Sequence, residues 1–137
     1  MNNFFDSLDP DNFYHIFNRG INSQKTYYSN NNYLFFLEQA KKYLIGYVDF
    51  YAYCLMPNHY HFIIKVKSED ELLNPETKSR KFSGTTGLHS PQAIVSKQFG
   101  SFLNSYTQAF NTEIIRHGAL FESPFKRIRI TSDDYLL

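Results

Sequence analysis

The stretch from Val48 to Lys67 constrains the fold of this chain more than any other. It holds two runs of apolar, β-branched and aromatic residues that meet at Pro57-Asn58, a pair that favours a turn. Two such runs around a short turn predict a hairpin of antiparallel strands. The chain should therefore contain a sheet, and the remaining sequence has to supply its other strands and its cover.

The second strand of this hairpin begins with His59, Tyr60 and His61. Side chains along a strand alternate between the two faces of a sheet, so both histidines should project from one face and Tyr60 from the other. Two neighbouring imidazoles can bind one divalent cation through their ring nitrogens. The same spacing is also compatible with two ordinary strand histidines on a solvent face.

The periodicity elsewhere predicts two more strands and two helices. Asn12 to Asn18 and Phe121 to Ile130 are β-rich runs, whereas Ser29 to Gly46 and Ala93 to His117 carry apolar residues at three- and four-residue spacing. The resulting order is β-α-β-β-α-β. It predicts an α+β, ferredoxin-like fold, in which both helices cover one face of a four-stranded antiparallel sheet.

Length and composition indicate one globular domain over residues 1–137, with 42% hydrophobic residues to form its core. Residues 1–11 predict a loose lead-in, and residues 68–92 predict a long polar loop. The single cysteine, Cys54, cannot form an internal disulfide and lies in an apolar run where burial is expected. No secretion signal or membrane-spanning segment is evident, which predicts a cytoplasmic protein without membrane contact.

Several motifs occur here in the order in which a known family carries them. AYCLMPNHYHFII at residues 52–64 resembles the His-hydrophobic-His core of the HUH endonuclease superfamily, in particular its single-tyrosine transposases of the REP-associated and insertion-sequence types. YHIFNRG at Tyr14–Gly20 resembles the opening strand of that family. SYTQAFN at Ser105–Asn111 and RHGALFESPFKRIRI at Arg116–Ile130 resemble its later part. The resemblance covers nearly the whole chain and implies the same ferredoxin-like fold.

The resemblance also implies a chemistry for the histidine pair. In the family, two such histidines bind Mg²⁺ or Mn²⁺ against the scissile phosphate of single-stranded DNA, so His59 and His61 are the expected ligands. A tyrosine hydroxyl then attacks in line and forms a 5′-phosphotyrosine link. The expected partner is single-stranded or hairpin DNA. The resemblance is also compatible with a homodimer.

The tyrosine nucleophile of the family does not map onto this sequence. In relatives it lies on a helix after the final strand, and residues 131–134 resemble the start of that helix, but the chain ends at Leu137. Tyr135 precedes the position of the motif, and Tyr106 belongs to the apolar set of the preceding helix. We therefore expect the C-terminal helix to be cut short before the catalytic tyrosine and before a third metal ligand.

Basic residues near strand ends are the expected contacts for DNA phosphates. They are Arg19, at the end of the first strand, and Lys126, Arg127 and Arg129 on the last. His15 also lies on the first strand, which could run beside the His59–His61 strand. We interpret His15 as a half-buried histidine with satisfied ring nitrogens.

Two other classes of function stay open. One is a non-catalytic nucleic-acid-binding module that stacks bases on aromatic residues of the open sheet face. The other is a metal-dependent hydrolase that uses the histidine pair with water. That hydrolase would need carboxylates near the pair, and Asp49 and Glu122 are the candidates.

Overall fold

The structure, a computed structural model, describes residues 4–73 and 90–131. In order, the elements of these residues are β1 (Phe13–Arg19), α1 (Asn30–Leu44), β2 (Val48–Met56), β3 (His59–Val66), α2 (Glu69–Leu73), α3 (Pro91–Ile114) and β4 (Lys126–Ile130), with a short 3-10 turn at Ile21–Ser23. The strands form one antiparallel sheet in the order β2-β3-β1-β4. The predicted α+β, ferredoxin-like fold is confirmed.

The helices α1 and α3 cover one face of the sheet. Every second residue of β3 is buried, beginning with Tyr60, while the residues between them are partly exposed. Phe36 of α1 and Phe102 of α3 both pack on Phe62 of β3, with ring centroids 6.1 and 6.3 Å from it. The alternate side chains of β3 and β1 therefore lie on the opposite, open face of the sheet.

Both long helices begin at a serine cap. The Ser29 hydroxyl accepts a hydrogen bond from the Asn32 backbone N–H at 3.2 Å, and Ser90 accepts one from Ala93 at 3.1 Å. The first helix thus starts where the sequence predicts. The second ends at Ile114 and not at the predicted His117, because Ile115 adopts a left-handed backbone (φ 58°) that a helix cannot continue.

Two segments predicted to be irregular carry structure. Residues 69–73, within the predicted loop at 68–92, form α2, whose Leu72 is buried. Residues 4–9, within the predicted lead-in, run along β4, where Arg127 exchanges backbone hydrogen bonds with Phe4 and Asp6. Leu8 is buried in the core, which anchors this segment. Most of the predicted loop, at 74–89, and the predicted C-terminal helix start, at 132–137, lie outside the described residues.

The edge strand β2 is largely exposed on both faces. Cys54 is exposed, so the prediction that it is buried is wrong. The reason is its position: β2 is an edge strand, and the buried residues of the sheet lie mainly on the central strands β3 and β1, under the helices. None of the helices in residues 4–73 and 90–131 has the length and apolar character needed to cross a bilayer.

Candidate metal and nucleic-acid site

The histidine pair lies at the start of β3 on the open face of the sheet. The ring centroids of His59 and His61 are 5.2 Å apart, with ring planes at 88° to one another. Tyr60, between them in sequence, is fully buried on the helix side. The prediction that the two histidines share a face is confirmed, and their rings are close enough to face a common ligand.

The turn before His59 is held by the end of β1. The Gly20 N–H donates to the Asn58 carbonyl oxygen at 3.0 Å. A Cβ at Gly20 would overlap the carbonyl oxygen of Gln24, so glycine is required here. The Asn58 side chain donates its amide N–H to the Ser23 carbonyl at 3.4 Å and presents its oxygen to His59 Nδ1 at 2.7 Å. The turn therefore orients the His59 ring.

A third imidazole joins the pair from β1. His15 Nε2 lies 2.8 Å from His61 Nδ1, and the two rings meet edge to edge with centroids 5.0 Å apart. His15 is half-buried, as the sequence predicts, but its hydrogen-bonding partner is one of the two predicted metal ligands. The adjacency of β1 and β3 in the ferredoxin-like strand order is the signal that could have identified this contact.

The surroundings of His15 and His61 favour the neutral forms of these two rings. Burial lowers the pKa of His15, and the nearby His61 lowers it further. Burial likewise lowers the pKa of His61, with a further contribution from His59. A neutral imidazole has a nitrogen lone pair for a metal, which an imidazolium lacks. The electrostatics of the group therefore suit cation binding at neutral pH.

The histidine pair borders a cavity of about 370 Å³ on the open face. Lys126 lies opposite Phe17 in the β1–β4 ladder, so its side chain points to the same face. Phe4 packs edge-on against Phe17, with ring centroids 6.2 Å apart. The cavity thus combines imidazole, cationic and aromatic groups, and its full lining is Phe4, Phe17, Asn18, Arg19, His59, His61 and Lys126.

Glu122 is hydrogen-bonded to the two basic side chains that line this cavity. Its carboxylate accepts hydrogen bonds from Arg19 Nε at 3.0 Å and from Lys126 Nζ at 2.8 Å. Hydrogen bonds from Lys126 and then Arg19 hold the pKa of the Glu122 carboxyl below its ordinary value. The Glu122 N–H donates to the Arg19 carbonyl at 2.9 Å, and its own carbonyl accepts from the Asn18 amide. The Glu122 carboxylate therefore lies beside the cavity and is hydrogen-bonded to both of the basic side chains that line it, Arg19 and Lys126.

The other two predicted phosphate contacts lie away from the cavity. Arg127 points to the helix-covered side, where its Nε donates to the Asp6 carbonyl at 3.1 Å and its guanidinium lies 4.7 Å from the centre of the Phe125 ring. Burial lowers its pKa. Arg129 donates to the Asn12 side chain at 2.6 Å. Of these three basic residues of β4, only Lys126 pairs with an open-face residue of β1. Strand alternation therefore places Arg127 and Arg129 on the other face of the sheet.

Of the tyrosine and carboxylate candidates in the described residues, Glu122 lies beside the cavity, whereas Tyr106 and Asp49 lie away from the histidines. Tyr106 is buried, its hydroxyl donates to the Thr26 carbonyl, and burial raises its pKa. Tyr135 lies outside the described residues. Asp49 pairs with Lys67 at 2.8 Å, near the end of β3 remote from His59. At about 3.3 Å per residue along a strand, Lys65, the residue that pairs with Asp49 in the β2–β3 ladder, is roughly 20 Å from His59 and roughly 13 Å from His61.

Within the part of the chain that the structure describes, no three His, Cys, Asp or Glu side chains form a group that could hold a metal ion. His59 and His61 would therefore supply two ligands of an incomplete set. The remaining positions would be open to water, to a phosphate oxygen or to a residue outside the described ranges.

The fold and this geometry can be compared with known proteins. No model of a protein family and no curated protein sequence matches the chain. A similar solved structure is that of a REP-associated tyrosine transposase bound to a REP hairpin. It aligns with a TM-score of 0.59 and 12% sequence identity, over 99% of this chain and 67% of the transposase. At this identity the similarity shows that the two proteins share a fold.

Proposed function

We propose that this chain binds single-stranded or hairpin DNA on its open sheet face, with Mg²⁺ or Mn²⁺ held by His59 and His61 at a DNA phosphate. The observation that carries the proposal is one cavity. The two imidazoles, Arg19 and Lys126 all line it, on the face that the helices leave uncovered. Metal ligands and phosphate-binding cations thus converge on one space.

The donor set fits a divalent cation. Nδ1 of His59 lies against the Asn58 side-chain oxygen, and Nδ1 of His61 lies against His15. This leaves Nε2 of each ring as the nitrogen for the metal. A bound cation would polarise the phosphoryl oxygens and offset the charge that builds on them in the transition state.

The remaining lining residues suit nucleic acid. Arg19 and Lys126 can exchange their contacts with Glu122 for contacts with DNA phosphates. Phe17 and Phe4 offer aromatic surface on which a base of single-stranded DNA could stack. The similar transposase structure contains a REP hairpin, which supports hairpin DNA as the ligand class.

Nicking and rejoining through a 5′-phosphotyrosine is the activity that the family resemblance favours for this site. It requires a tyrosine hydroxyl beside the bound phosphate, within about 3 to 3.5 Å of the reacting atom. Tyr106 is buried and hydrogen-bonded, so it is not that group. The nucleophile would come from outside the described residues, where Tyr135 also lies. For the described residues we therefore propose DNA and metal binding, not cleavage.

A non-catalytic nucleic-acid-binding module is the second candidate. Phe13 of β1 and Tyr51 of β2 stack with ring centroids 5.1 Å apart, and Tyr51 is exposed. Exposed stacked rings on an open sheet can bind bases without a metal. The homodimer and the cytoplasmic location stay predictions.

The two candidate functions predict different effects of a divalent metal on DNA affinity. Fluorescence anisotropy with a labelled DNA hairpin carrying a single-stranded flank would measure affinity in Mn²⁺ and in EDTA. We expect Mn²⁺ to strengthen binding, and His59→Ala with His61→Ala to remove that gain. Lys41→Ala, an exposed change on α1, is the control. Binding that is equal in Mn²⁺ and EDTA would favour the non-catalytic module.

A further inference from the structure

The inference concerns His15, whose ring contacts one of the two proposed metal ligands. Its Nε2 lies 2.8 Å from Nδ1 of His61, and the planes of the two rings differ by only 24°. At this separation one hydrogen atom lies between the two nitrogens. Either His61 donates it to His15, or His15 donates it to His61. The choice decides what His61 can do with its other nitrogen.

A neutral imidazole carries one N–H and one lone pair. If His61 holds its hydrogen on Nδ1, its Nε2 has the lone pair and can bind a cation. If His15 is the donor, neutral His61 carries its hydrogen on Nε2 and cannot bind a metal there. The contact with His15 therefore decides whether neutral His61 can bind a metal through its Nε2.

His59 shows which form this site uses. Its Nδ1 lies 2.7 Å from the side-chain oxygen of Asn58, and that amide donates its own N–H to the Ser23 carbonyl. An amide oxygen only accepts, so the hydrogen lies on Nδ1 of His59 and the lone pair on Nε2. In His61 the contact with His15 occupies Nδ1, so a cation can bind this ring only through an Nε2 lone pair, which is the arrangement already found in His59.

We propose that His15 is a positioning residue that accepts the Nδ1–H of His61 and so keeps the Nε2 lone pair of His61 directed at the cation. The proposal rests on the proposed function, in which His59 and His61 are the ligands. His15 itself contacts neither the metal nor the DNA in this role. Outer partners that orient metal-binding histidines act in this way, and their loss typically weakens metal affinity by about 10- to 100-fold.

A merely structural role for His15 makes a different prediction. The His15 ring also packs against Phe17, with ring centroids 4.6 Å apart, so a purely structural role in packing is the alternative. His15→Phe keeps an aromatic ring and removes the acceptor. His15→Gln removes the ring and places an amide oxygen near the position of Nε2. Packing predicts that Phe is the milder change, whereas the acceptor role predicts that Gln is.

Two measurements test the proposal. Titration with Mn²⁺ by calorimetry should show affinity falling by about 10- to 100-fold in His15→Phe and staying within a few-fold of the original in His15→Gln. Imidazole ¹⁵N NMR on the metal-free proteins should show His61 with its hydrogen on Nδ1 in the original chain and in His15→Gln, but not in His15→Phe. Thermal unfolding of each variant confirms that it is folded.

The outcomes separate this inference from the proposed function. If His59→Ala does not change Mn²⁺ binding, the proposed metal site is wrong, whatever His15 does. If His59→Ala abolishes binding but His15→Phe leaves it intact, the metal site stands and the role of His15 is overturned. A hydrogen on Nε2 of His61 in the metal-free original chain would also overturn it, independently of any metal measurement.

Discussion

The carboxylate of Glu122 accepts a hydrogen bond from the Arg19 guanidinium at 3.0 Å, at the edge of the cavity that contains the histidine pair. Its other oxygen accepts from Lys126 at 2.8 Å. One carboxylate thus offsets the charge of both cations that line the cavity. A DNA phosphate that binds there has to compete with Glu122 for the same donors.

Glu122→Gln should therefore strengthen DNA binding. The amide keeps a similar shape but carries no negative charge, so Arg19 and Lys126 become more available to phosphates. We expect a few-fold gain in hairpin affinity at low salt, measured by fluorescence anisotropy. Glu38→Gln, which removes the same charge from an exposed site on α1, should have little effect. A loss of affinity in Glu122→Gln would instead mean that the carboxylate is needed to position the cations.

Lys126 and Arg127 are sequence neighbours that point to opposite sides of β4, and they provide a matched pair. Lys126 lines the cavity, whereas Arg127 contacts the Asp6 carbonyl and the Phe125 ring. Affinity for DNA falls as salt rises, and Lys126→Ala should make this dependence less steep. The magnitude of the slope of log affinity against log salt should fall by about 0.7 to 0.9, the value for one phosphate contact. Arg127→Ala should leave this slope unchanged and lower the thermal unfolding temperature. If the slope responds to Arg127 and not to Lys126, the DNA does not follow the cavity.

The pKa shifts of His15 and His61 predict how stability depends on pH in the metal-free protein. Both pKa values are lowered in the folded state, so the unfolded chain, with histidine near 6.5, takes up protons first as pH falls. Their contribution to stability is therefore complete above about pH 6.5 and is lost as the pH falls through the folded-state values. Urea unfolding in EDTA should give a lower free energy of unfolding at pH 5 than at pH 7.

A double variant isolates the contribution of these two rings to the pH dependence. His15→Gln with His61→Gln removes both groups, so the difference between pH 5 and pH 7 should shrink relative to the original chain. The other titrating groups are common to both proteins and cancel in the comparison. An unchanged difference would assign the pH dependence to groups outside the histidine cluster.

The sequence predicts the fold and the histidine pair because both depend on short-range periodicity. The i, i+2 spacing of His59 and His61 fixes their shared face once β3 is a strand. The role of His15 depends on which strands are neighbours, a long-range property that local spacing does not contain. Cys54 was misassigned for a related reason, since an apolar run does not reveal whether its strand lies at the edge or the centre of a sheet.

The basic cluster on β4 shows a further limit of reading charges along the chain. Lys126, Arg127 and Arg129 look like one patch in sequence, but strand alternation and the N-terminal segment divide them. The backbone of Phe4 and Asp6 pairs with Arg127, and Leu8 anchors this segment in the core. Residues 1–11 show no periodicity, so neither the covering of the β4 edge nor the place of Phe4 in the cavity could be predicted.

The last prediction concerns Tyr106, whose burial indicates that it is a structural and not a catalytic tyrosine. The hydroxyl donates to the Thr26 carbonyl inside the core, and burial raises its pKa, so it is held as a neutral donor. Tyr106→Phe should lower the free energy of unfolding by about 1 to 3 kcal/mol, since the buried Thr26 carbonyl loses its partner. Tyr51→Phe, at an exposed ring on β2, should change stability by less than about 0.5 kcal/mol. Mn²⁺ affinity and any covalent adduct with labelled hairpin DNA should be the same in Tyr106→Phe as in the original chain. A covalent band that disappears in Tyr106→Phe, while the variant is still folded, would identify Tyr106 as the nucleophile and contradict its assignment to the core.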